Sequence, residues 1–329
     1  MDGLPALYHA DVPAFLCPFL DTPPLRRLKA VGMNCGCEYT SFSRFRALPA
    51  YSRYAHSLGA ALIVWHFTAD PAQTLAALFH DAATPVFAHV IDFLRGDYLR
   101  QEATEARTGE ILRGSREIAA LLGEMGIPFE AVEDYHRYPV ADNDAPRLSA
   151  DRLEYTMGNA LAYGFASPEE LGRWYGDLRV TAAPDGQPEP AFSTLAAARG
   201  FGLAALRCAR VYVSDEDRYA MQLLAELLAD ALRRGVLRED ELWLTEPAVI
   251  EKLAADGESG RAWRAFRGLH RMRSDADAPP EKRRVIPAKK RRIDPLVAGL
   301  GRLSEIDADF RRETEAFLAE PQTGWLCGE

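Results

Sequence analysis

The stretch "AALFHDAATPVFAHVIDF", residues 76–93, is apolar enough for a protein core, yet it carries two histidines and two aspartates. Isolated buried charge is costly, so such residues in a core are normally paired, hydrogen-bonded or bound to a metal. Asp70-Pro71 predicts a helix that ends at the doublet His80-Asp81, and Thr84-Pro85 predicts the cap and first residue of another helix. The doublet is therefore expected at a helix end.

Sequence signals for the starts and ends of helices recur along the rest of the chain. Ser52 is a predicted N-cap, and further helices are predicted at 102–123, 149–163, 168–176, 215–234, 246–256 and 304–319. Residues 177–193 are predicted to form a loop or a short β-excursion, and the basic, proline-interrupted segment 279–297 a loop or a two-stranded ribbon. We divide the chain into an N-terminal lead (1–23), a helical core (24–165), an accessory helical region (166–274) and a basic ribbon with a C-terminal helix (275–329).

Composition narrows the class of protein. A chain of 329 residues can bury a large core, and 39 basic against 48 acidic residues argue against nucleic-acid or acidic-membrane binding. Five cysteines, with Cys35 and Cys37 too close for an ordinary disulfide, fit a reducing cytoplasm. The N-terminus has no signal-peptide pattern, and no window reaches the roughly 18 uncharged residues of a membrane span. We expect a soluble, cytoplasmic protein without membrane contact.

Four residues on or beside separate predicted helices could bind one cation: His56, His80, Asp81 and Asp151. Imidazole with carboxylate is a ligand set for one divalent transition metal such as Fe, Mn, Zn, Ni or Co, and the pattern leaves its identity open. Adjacent helical side chains point about 100° apart, so the doublet can serve one ion only where its helix ends. The predicted break after residue 81 provides that ending.

The order H…HD…D is the signature of the HD phosphohydrolase superfamily, and four segments extend the resemblance. They are "PPLRRLKAVG" (23–32), "YSRYAHSLGAAL" (51–62), "LFHDAATPVFAHVIDF" (78–93) and "SADRLEYTMGN" (149–159). They resemble deoxynucleoside triphosphate triphosphohydrolases and their SAM-and-HD-domain relatives. The resemblance implies an all-α fold, with an HD-domain helical core, a helical C-terminal region and a short β-ribbon or hairpin. It also implies that the four residues above bind one metal.

Further residues receive roles from the same resemblance. Arg53 is expected to contact phosphate beside the metal, and Arg152, Tyr155 and Asn159 to line the phosphate or sugar pocket. His89 and Asp92, at i,i+3, either relay a proton or form a buried pair that supports Asp81.

Several positions depart from the family's pattern. Thr84 stands where a histidine is usual and is expected at the substrate. Thr104-Glu105 replaces a catalytic "HE" motif, so these two are candidates for the vacated acid-base site. Ala30 replaces a sugar-sensing glutamine, and Asn159 replaces an aspartate.

These observations predict a metal-dependent phosphohydrolase that acts on a nucleotide or related phosphoester. Full agreement with the triphosphohydrolases would mean attack at the α-phosphorus, but a monophosphate, cyclic or other phosphoester stays open. The alternative is a non-catalytic metal- and nucleotide-binding sensor, and a di-iron oxygenase ranks last because it needs more histidines. We expect a small-molecule ligand and a homo-oligomer. Other histidines (His66, His136, His270) are treated as ordinary core residues. The segment "KRRVIPAKKRR" (282–292) is treated as a solvated ribbon or as a dock for a phosphate-rich effector or nucleic acid.

Overall fold

The computed structural model describes residues 3–96, 107–273, 286–322 and 326–329. Within these ranges lie sixteen α-helices: α1 (Leu4–Tyr8), α2 (Cys17–Leu20), α3 (Pro23–Leu28), α4 (Arg53–Thr68), α5 (Pro71–Phe79), α6 (Val90–Leu94), α7 (Thr108–Gly114), α8 (Arg116–Met125), α9 (Ala150–Ala162), α10 (Pro168–Gly176), α11 (Leu195–Val211), α12 (Asp215–Arg233), α13 (Glu246–Ala255), α14 (Gly257–Gly268), α15 (Leu303–Ile306) and α16 (Ala308–Ala319). Six short strands accompany them: β1 (Leu178–Ala182), β2 (Pro188–Phe192), β3 (Met272–Arg273), β4 (Leu296–Val297), β5 (Gly301–Arg302) and β6 (Cys327–Gly328).

The predicted caps place the helices that carry the site. The Ser52 hydroxyl accepts the Ala55 N–H at the start of α4, and Asp70 accepts two N–H groups at the start of α5. Ser149 caps α9 through the Arg152 N–H. Each of these bonds satisfies an amide that the first helical turn leaves unpaired. Helices α10, α12 and α13 also match their predicted ranges within one residue.

Three helix predictions need correction. The segment predicted as one helix over 102–123 contains α7 and α8, which are separated where Ser115 caps α8. The predicted helix at 304–319 is likewise divided by Asp307, which caps α16. No helix starts at Thr84-Pro85: residues 86–89 form turns and α6 begins at Val90. Local side-chain bonds to the backbone end a helix even where the apolar period continues.

A small sheet accompanies the helices, in the strand order β1-β2-β4-β5. Strands β1 and β2 form an antiparallel hairpin, as the β-excursion at 177–193 predicts, with Leu178 opposite Phe192. Strand β4 adds to β2 in parallel, and β5 pairs antiparallel with β4. A second, two-stranded sheet joins β3 to β6. The fold is mostly helical with a few short strands.

Two large hydrophobic clusters and two small ones form the interior of the described residues. The largest cluster extends from Leu4 to Phe310 and includes apolar residues of α4, α5, α9 and α11. The second large one gathers Cys35, the stretch around Phe87 and residues of α12, α13 and α14. Helix α4 packs against α1, α3, α5 and α9. Across the described ranges, every helix is too short or too polar to span a membrane.

Candidate metal centre

Helix α4 and the two helices α5 and α9 that pack on it bring the predicted ligands together. His56 lies one turn into α4, and Asp151 lies in the first turn of α9, which packs on α4. His80 and Asp81 follow the last residue of α5, where the chain turns with Ala82 N–H bonded to the Phe79 carbonyl. Because the doublet lies beyond the regular helix, both side chains face the same cavity.

The ligand atoms converge closely. Nε2 of His56 lies 3.0 Å from Nε2 of His80 and 3.0 Å from Oδ1 of Asp151, and the last two atoms are 3.6 Å apart. Oδ2 of Asp81 lies 3.5 Å from the His80 Nε2 and 3.8 Å from the His56 Nε2. His56, His80 and Asp151 thus form a group that could hold one divalent transition metal, and Asp81 lies beside both imidazoles.

The hydrogens on both rings follow from their other neighbours. His80 Nδ1 lies 2.7 Å from the carbonyl oxygen of Ala77, which can only accept, so Nδ1 donates and Nε2 of the neutral ring is a lone pair. His56 Nδ1 lies 2.5 Å from the Glu154 carboxylate and donates to it in the same way. With both rings neutral, as metal ligation requires, two lone pairs and carboxylate oxygens face each other, which is an arrangement that a cation satisfies.

The pKa values of the candidate ligands follow from the same contacts. Burial lowers the pKa of His56, but hydrogen bonds to Asp151 and Glu154 outweigh it and raise that pKa to about 10. Burial alone would raise the pKa of Asp151, yet its bond to His56 lowers it to about 2. The site concentrates negative charge, which a second proton on the His56 imidazole partly neutralises. A bound metal would displace that proton.

Glu154 is a functional residue that the sequence did not point out. It is buried on α9, one turn after Asp151, and accepts hydrogen bonds from Tyr51, His56 and, at 3.5 Å, Tyr8. A carboxylate that accepts from the outer nitrogen of a ligating histidine fixes the ring's tautomer and orientation. A glutamate on the apolar face of a helix, at i+3 from a predicted ligand, was the available signal.

Arg53 and Thr84 both contact Asp81. Nη1 of Arg53 lies 3.0 Å from each oxygen of that carboxylate, and the Thr84 hydroxyl donates to Oδ1 at 2.6 Å. Burial would raise the pKa of Asp81, but Arg53 and the two imidazoles hold it well below its usual range. Arg53 also lines the cavity, whereas Thr84, expected at the substrate, is fully buried against Asp81 and does not.

Arg152, Tyr155 and Asn159 lie along α9 at the cavity wall. The Arg152 guanidinium bonds to the loop before α9, including Asp142 at 3.0 Å and the Arg147 carbonyl at 2.7 Å. Asn159 donates to the Tyr212 hydroxyl at 2.7 Å, while its buried Oδ1 has no hydrogen-bond partner among the described residues. That oxygen is available to a ligand.

His89 and Asp92 are side by side, as their spacing predicts. His89 Nδ1 lies 2.8 Å from the fully buried Asp92 carboxylate, and the His89 ring lines the cavity. Burial lowers the pKa of His89, and the bond to Asp92 offsets only part of this. The ring is therefore neutral near pH 7, with Nε2 on the cavity side. The other two candidates, Thr104 and Glu105, lie outside the described residues.

The cavity has a volume of about 330 Å³. Its wall includes residues without a predicted role: Met33, Asn34, Cys35, Tyr163, Tyr212, Asp217, Lys289 and Arg291. His136, expected in the core, is half-exposed at this wall with Nε2 3.4 Å from Asp142. His66 and His270, also expected in the core, are exposed instead. The cavity is chemically mixed, with cations, carboxylates and tyrosines.

Comparisons with known proteins give distant relatives. No family model matches the chain. The uncharacterized protein YdhJ of Bacillus subtilis is 25% identical over 250 residues, 75% of this chain and 73% of the relative. The metal-dependent phosphohydrolase cns2 of Cordyceps militaris is 23% identical over 295 residues, 86% of this chain and 80% of the relative. A solved hypothetical protein from Aquifex aeolicus matches in fold, with a TM-score of 0.64, 17% identity and coverage of 96% and 92%.

Proposed function

We propose that the chain is a metal-dependent phosphohydrolase of the HD type that acts on a nucleotide or a related phosphoester. The observation that carries the proposal is the convergence of Nε2 of His56, Nε2 of His80 and Oδ1 of Asp151 within 4 Å of one another at the wall of a cavity, with Asp81 beside both imidazoles. The Cordyceps militaris relative, similar over most of this chain, is named for the same general activity. The motif order H…HD…D supports the HD type.

We assign His56, His80, Asp81 and Asp151 as the ligands of one divalent transition metal. The donor set fits, because both rings already carry their hydrogens on the outer nitrogens, where Glu154 and the Ala77 carbonyl accept them. When bound, such a metal supplies Lewis acidity towards a phosphoryl oxygen and towards water.

The protein's own groups perform the remaining tasks. Arg53 holds Asp81 through Nη1, and its buried Nε has no hydrogen-bond partner among the described residues, so Nε can donate to a phosphate oxygen. His89, neutral and held by Asp92, can accept a proton at Nε2. Asn159 Oδ1 can accept a hydrogen bond from a sugar hydroxyl beside the Tyr155 ring.

Among phosphoesters, the substrate is inferred from the volume of the cavity and from the family resemblance. The resemblance to triphosphohydrolases implies a deoxynucleoside triphosphate attacked at its α-phosphorus, with release of the deoxynucleoside and triphosphate. A cavity of about 330 Å³ is at the small end of small-molecule sites and favours a smaller phosphoester. Both substrate types belong in the test.

Metal analysis combined with a phosphoester panel tests the proposal. Protein purified without a histidine tag should contain about one equivalent of Fe, Mn, Zn, Ni or Co and hydrolyse at least one member of the panel. His80→Ala and Asp151→Ala should lose the metal and at least about 100-fold in kcat/KM. His270→Gln, an exposed histidine away from the cavity, is the matched control and should match wild type. Metal-independent turnover, or turnover retained in His80→Ala, would contradict the assignment.

A non-catalytic sensor is the second candidate, and one observation favours it. Thr84 stands where the family that this chain resembles has a histidine. Its hydroxyl is hydrogen-bonded to Asp81, and it offers the cavity no proton-transfer group. A sensor would bind a nucleotide with the metal in place and show no turnover above that of His80→Ala. Turnover that depends on His80 excludes it.

A further inference from the structure

The segment Ala288–Arg292, here called the basic strap, forms part of the cavity wall. It has no regular secondary structure, and Lys289 and Arg291 line the same cavity as the candidate ligands. Nη2 of Arg291 lies 3.4 Å from Nε2 of His89. Burial raises the pKa of Tyr155 to about 12, and the charge of Arg291 opposes that rise, so Arg291 is also close to Tyr155. The segment expected to be a solvated ribbon therefore reaches the site.

The strap is held in place from its other side. Lys290 Nζ bonds to carbonyl oxygens at the end of α16: Phe317 at 2.7 Å, Leu318 at 2.9 Å and Glu320. Carbonyls at a helix C-terminus are unpaired and attract a cation, so Lys290 is a natural anchor. The Ala288 N–H donates to the Gln322 side chain at 2.7 Å. These bonds hold the backbone on either side of Lys289.

Formal charge shows what the strap adds. Without it the cavity wall has four carboxylates, Asp81, Asp142, Asp151 and Asp217, and two arginines. Both arginines are ion-paired with wall carboxylates, Arg53 with Asp81 and Arg152 with Asp142, each at 3.0 Å. Above the Asp217 pKa of about 8, with all four carboxylates ionised and one divalent cation bound, this wall is neutral overall. Lys289 and Arg291 bring it to a formal charge of plus two.

Resting on the proposed function, we infer that Lys289 and Arg291 bind the substrate's phosphate and select phosphates with two or more negative charges over monoanionic diesters. A phosphate monoester has a second pKa of about 6 and is a dianion at pH 8, as are the ends of polyphosphates. A diester keeps one charge. An ammonium and a planar guanidinium together suit the extra oxygens, because both form charge-assisted hydrogen bonds.

Steady-state kinetics at pH 8 on the metal-loaded full chain test the inference. The variants are Lys289→Gln, Arg291→Gln and, as matched control, Arg292→Gln, whose side chain is exposed on the same strap and does not line the cavity. For p-nitrophenyl phosphate, each of the first two should raise KM about tenfold. In Lys289→Gln kcat should stay within about twofold; Arg291 also contacts His89, so kcat is not a criterion for Arg291→Gln. For bis(p-nitrophenyl) phosphate, KM should stay within about twofold. Comparing dAMP with dATP shows whether the preferred dianion is a monoester or a polyphosphate.

Binding of inorganic phosphate, measured by calorimetry on the same proteins, separates this inference from the proposed function. Turnover in wild type, with Lys289→Gln and Arg291→Gln behaving like Arg292→Gln or losing equally on both ester types, overturns the strap inference alone. No turnover on any phosphoester, with phosphate affinity that falls about tenfold only in the first two variants, overturns the proposed function and supports the strap. Absence of both turnover and phosphate binding overturns both.

Discussion

The two imidazole rings at the centre of the site carry their hydrogens on the nitrogens that point away from it. The sequence motif pointed to His56 and His80, but not to the groups that fix the rings, Glu154 and the Ala77 carbonyl. A backbone carbonyl has no sequence signature. Glu154 had a sequence signature in Gly59 of α4. This glycine faces the glutamate so closely that a Cβ there would lie 2.6 Å from the glutamate Cγ. A buried glutamate and the glycine that accommodates it are a paired signal.

Residues close in sequence to the motifs were predictable, and distant ones were not. His89 and Asp92 are i,i+3, so their hydrogen bond follows from local geometry. Lys289 and Arg291 reach the site through an irregular segment, whose course no periodicity encodes. Loop conformation depends on tertiary contacts, here the Lys290 bonds to the end of α16.

Asp217, at the cavity wall, gives a pH-dependent prediction for stability. Burial raises its pKa to about 8, far above the value of an exposed aspartate. Between about pH 4 and pH 8 the folded state therefore holds this proton while the unfolded state releases it, so Asp217 lowers the free energy of unfolding as pH rises. Asp217→Asn removes this contribution.

We expect the stability of Asp217→Asn relative to wild type to rise from pH 5 to pH 8, by more than the roughly 1.4 kcal/mol that one pKa unit represents. Urea unfolding at both pH values measures it. Asp230→Asn, half-buried on the same helix and outside the cavity, is a control whose stability difference should not rise in this range. A difference that is constant with pH for Asp217→Asn would show that its carboxylate titrates normally.

At the scale of elements, helix starts were more predictable than helix interiors. Side-chain caps such as Ser52 and Ser149 have a sequence signature with a direct physical cause. The unpredicted α11 contains glycines, which resemble helix breaks in a sequence. Gly202 is there because α16 packs closely: a Cβ would lie 2.9 Å from the Phe310 ring. Such a glycine is explained only by its partner, which is distant in sequence.

Helix α13 is tied to two loops near the site by its first residue. Glu246 Oε1 accepts the N–H groups of Gly32 at 2.9 Å and Phe87 at 3.2 Å, and Oε2 accepts the Tyr39 hydroxyl at 2.8 Å. Glu38 lies close by, and burial together with Glu246 raises its pKa to about 8, so at pH 7 it is mostly protonated and repels Glu246 little. Removing Glu246 leaves buried donors without an acceptor.

We expect Glu246→Ala to lower the free energy of unfolding by about 3 kcal/mol at pH 7. Chemical denaturation measures the loss. Glu251→Ala, an exposed glutamate on the same helix, should change it by less than about 0.5 kcal/mol. If the two variants are equally stable, Glu246 does not connect the loops as described.

For the whole molecule, the sequence predicted the helical class but not how distant segments pair. The parallel contact of β2 with β4 joins Ala191 to Leu296, and β4 has only two residues. Strands so short carry no readable alternation. The cavity combines both large interior clusters, with Tyr135 from the larger and Cys35, Phe93 and Met221 from the smaller. Such a junction appears only once the chain is packed.

Because the proposed ligands come from three helical segments of the core, a bound metal should stabilise the whole fold. A ligand at 100 times its Kd adds about 2.7 kcal/mol to the free energy of unfolding. We expect a chelator to lower the Tm of metal-loaded wild type, and the metal to restore it. His80→Ala should show neither change, and His270→Gln should respond as wild type does. An unchanged Tm in chelated, metal-free wild type would place the metal outside the core.

The anchoring of the strap separates phosphate selection from metal binding, two properties that depend on the same residues in many enzymes. None of its residues is a proposed ligand or orients one, and its anchor is the far end of α16. Replacing Lys289 would therefore change which phosphates are accepted while the metal ligands stay as they are. This modularity makes the strap a natural starting point for directed evolution, and a place where related chains can diverge in substrate preference without rebuilding their metal centre.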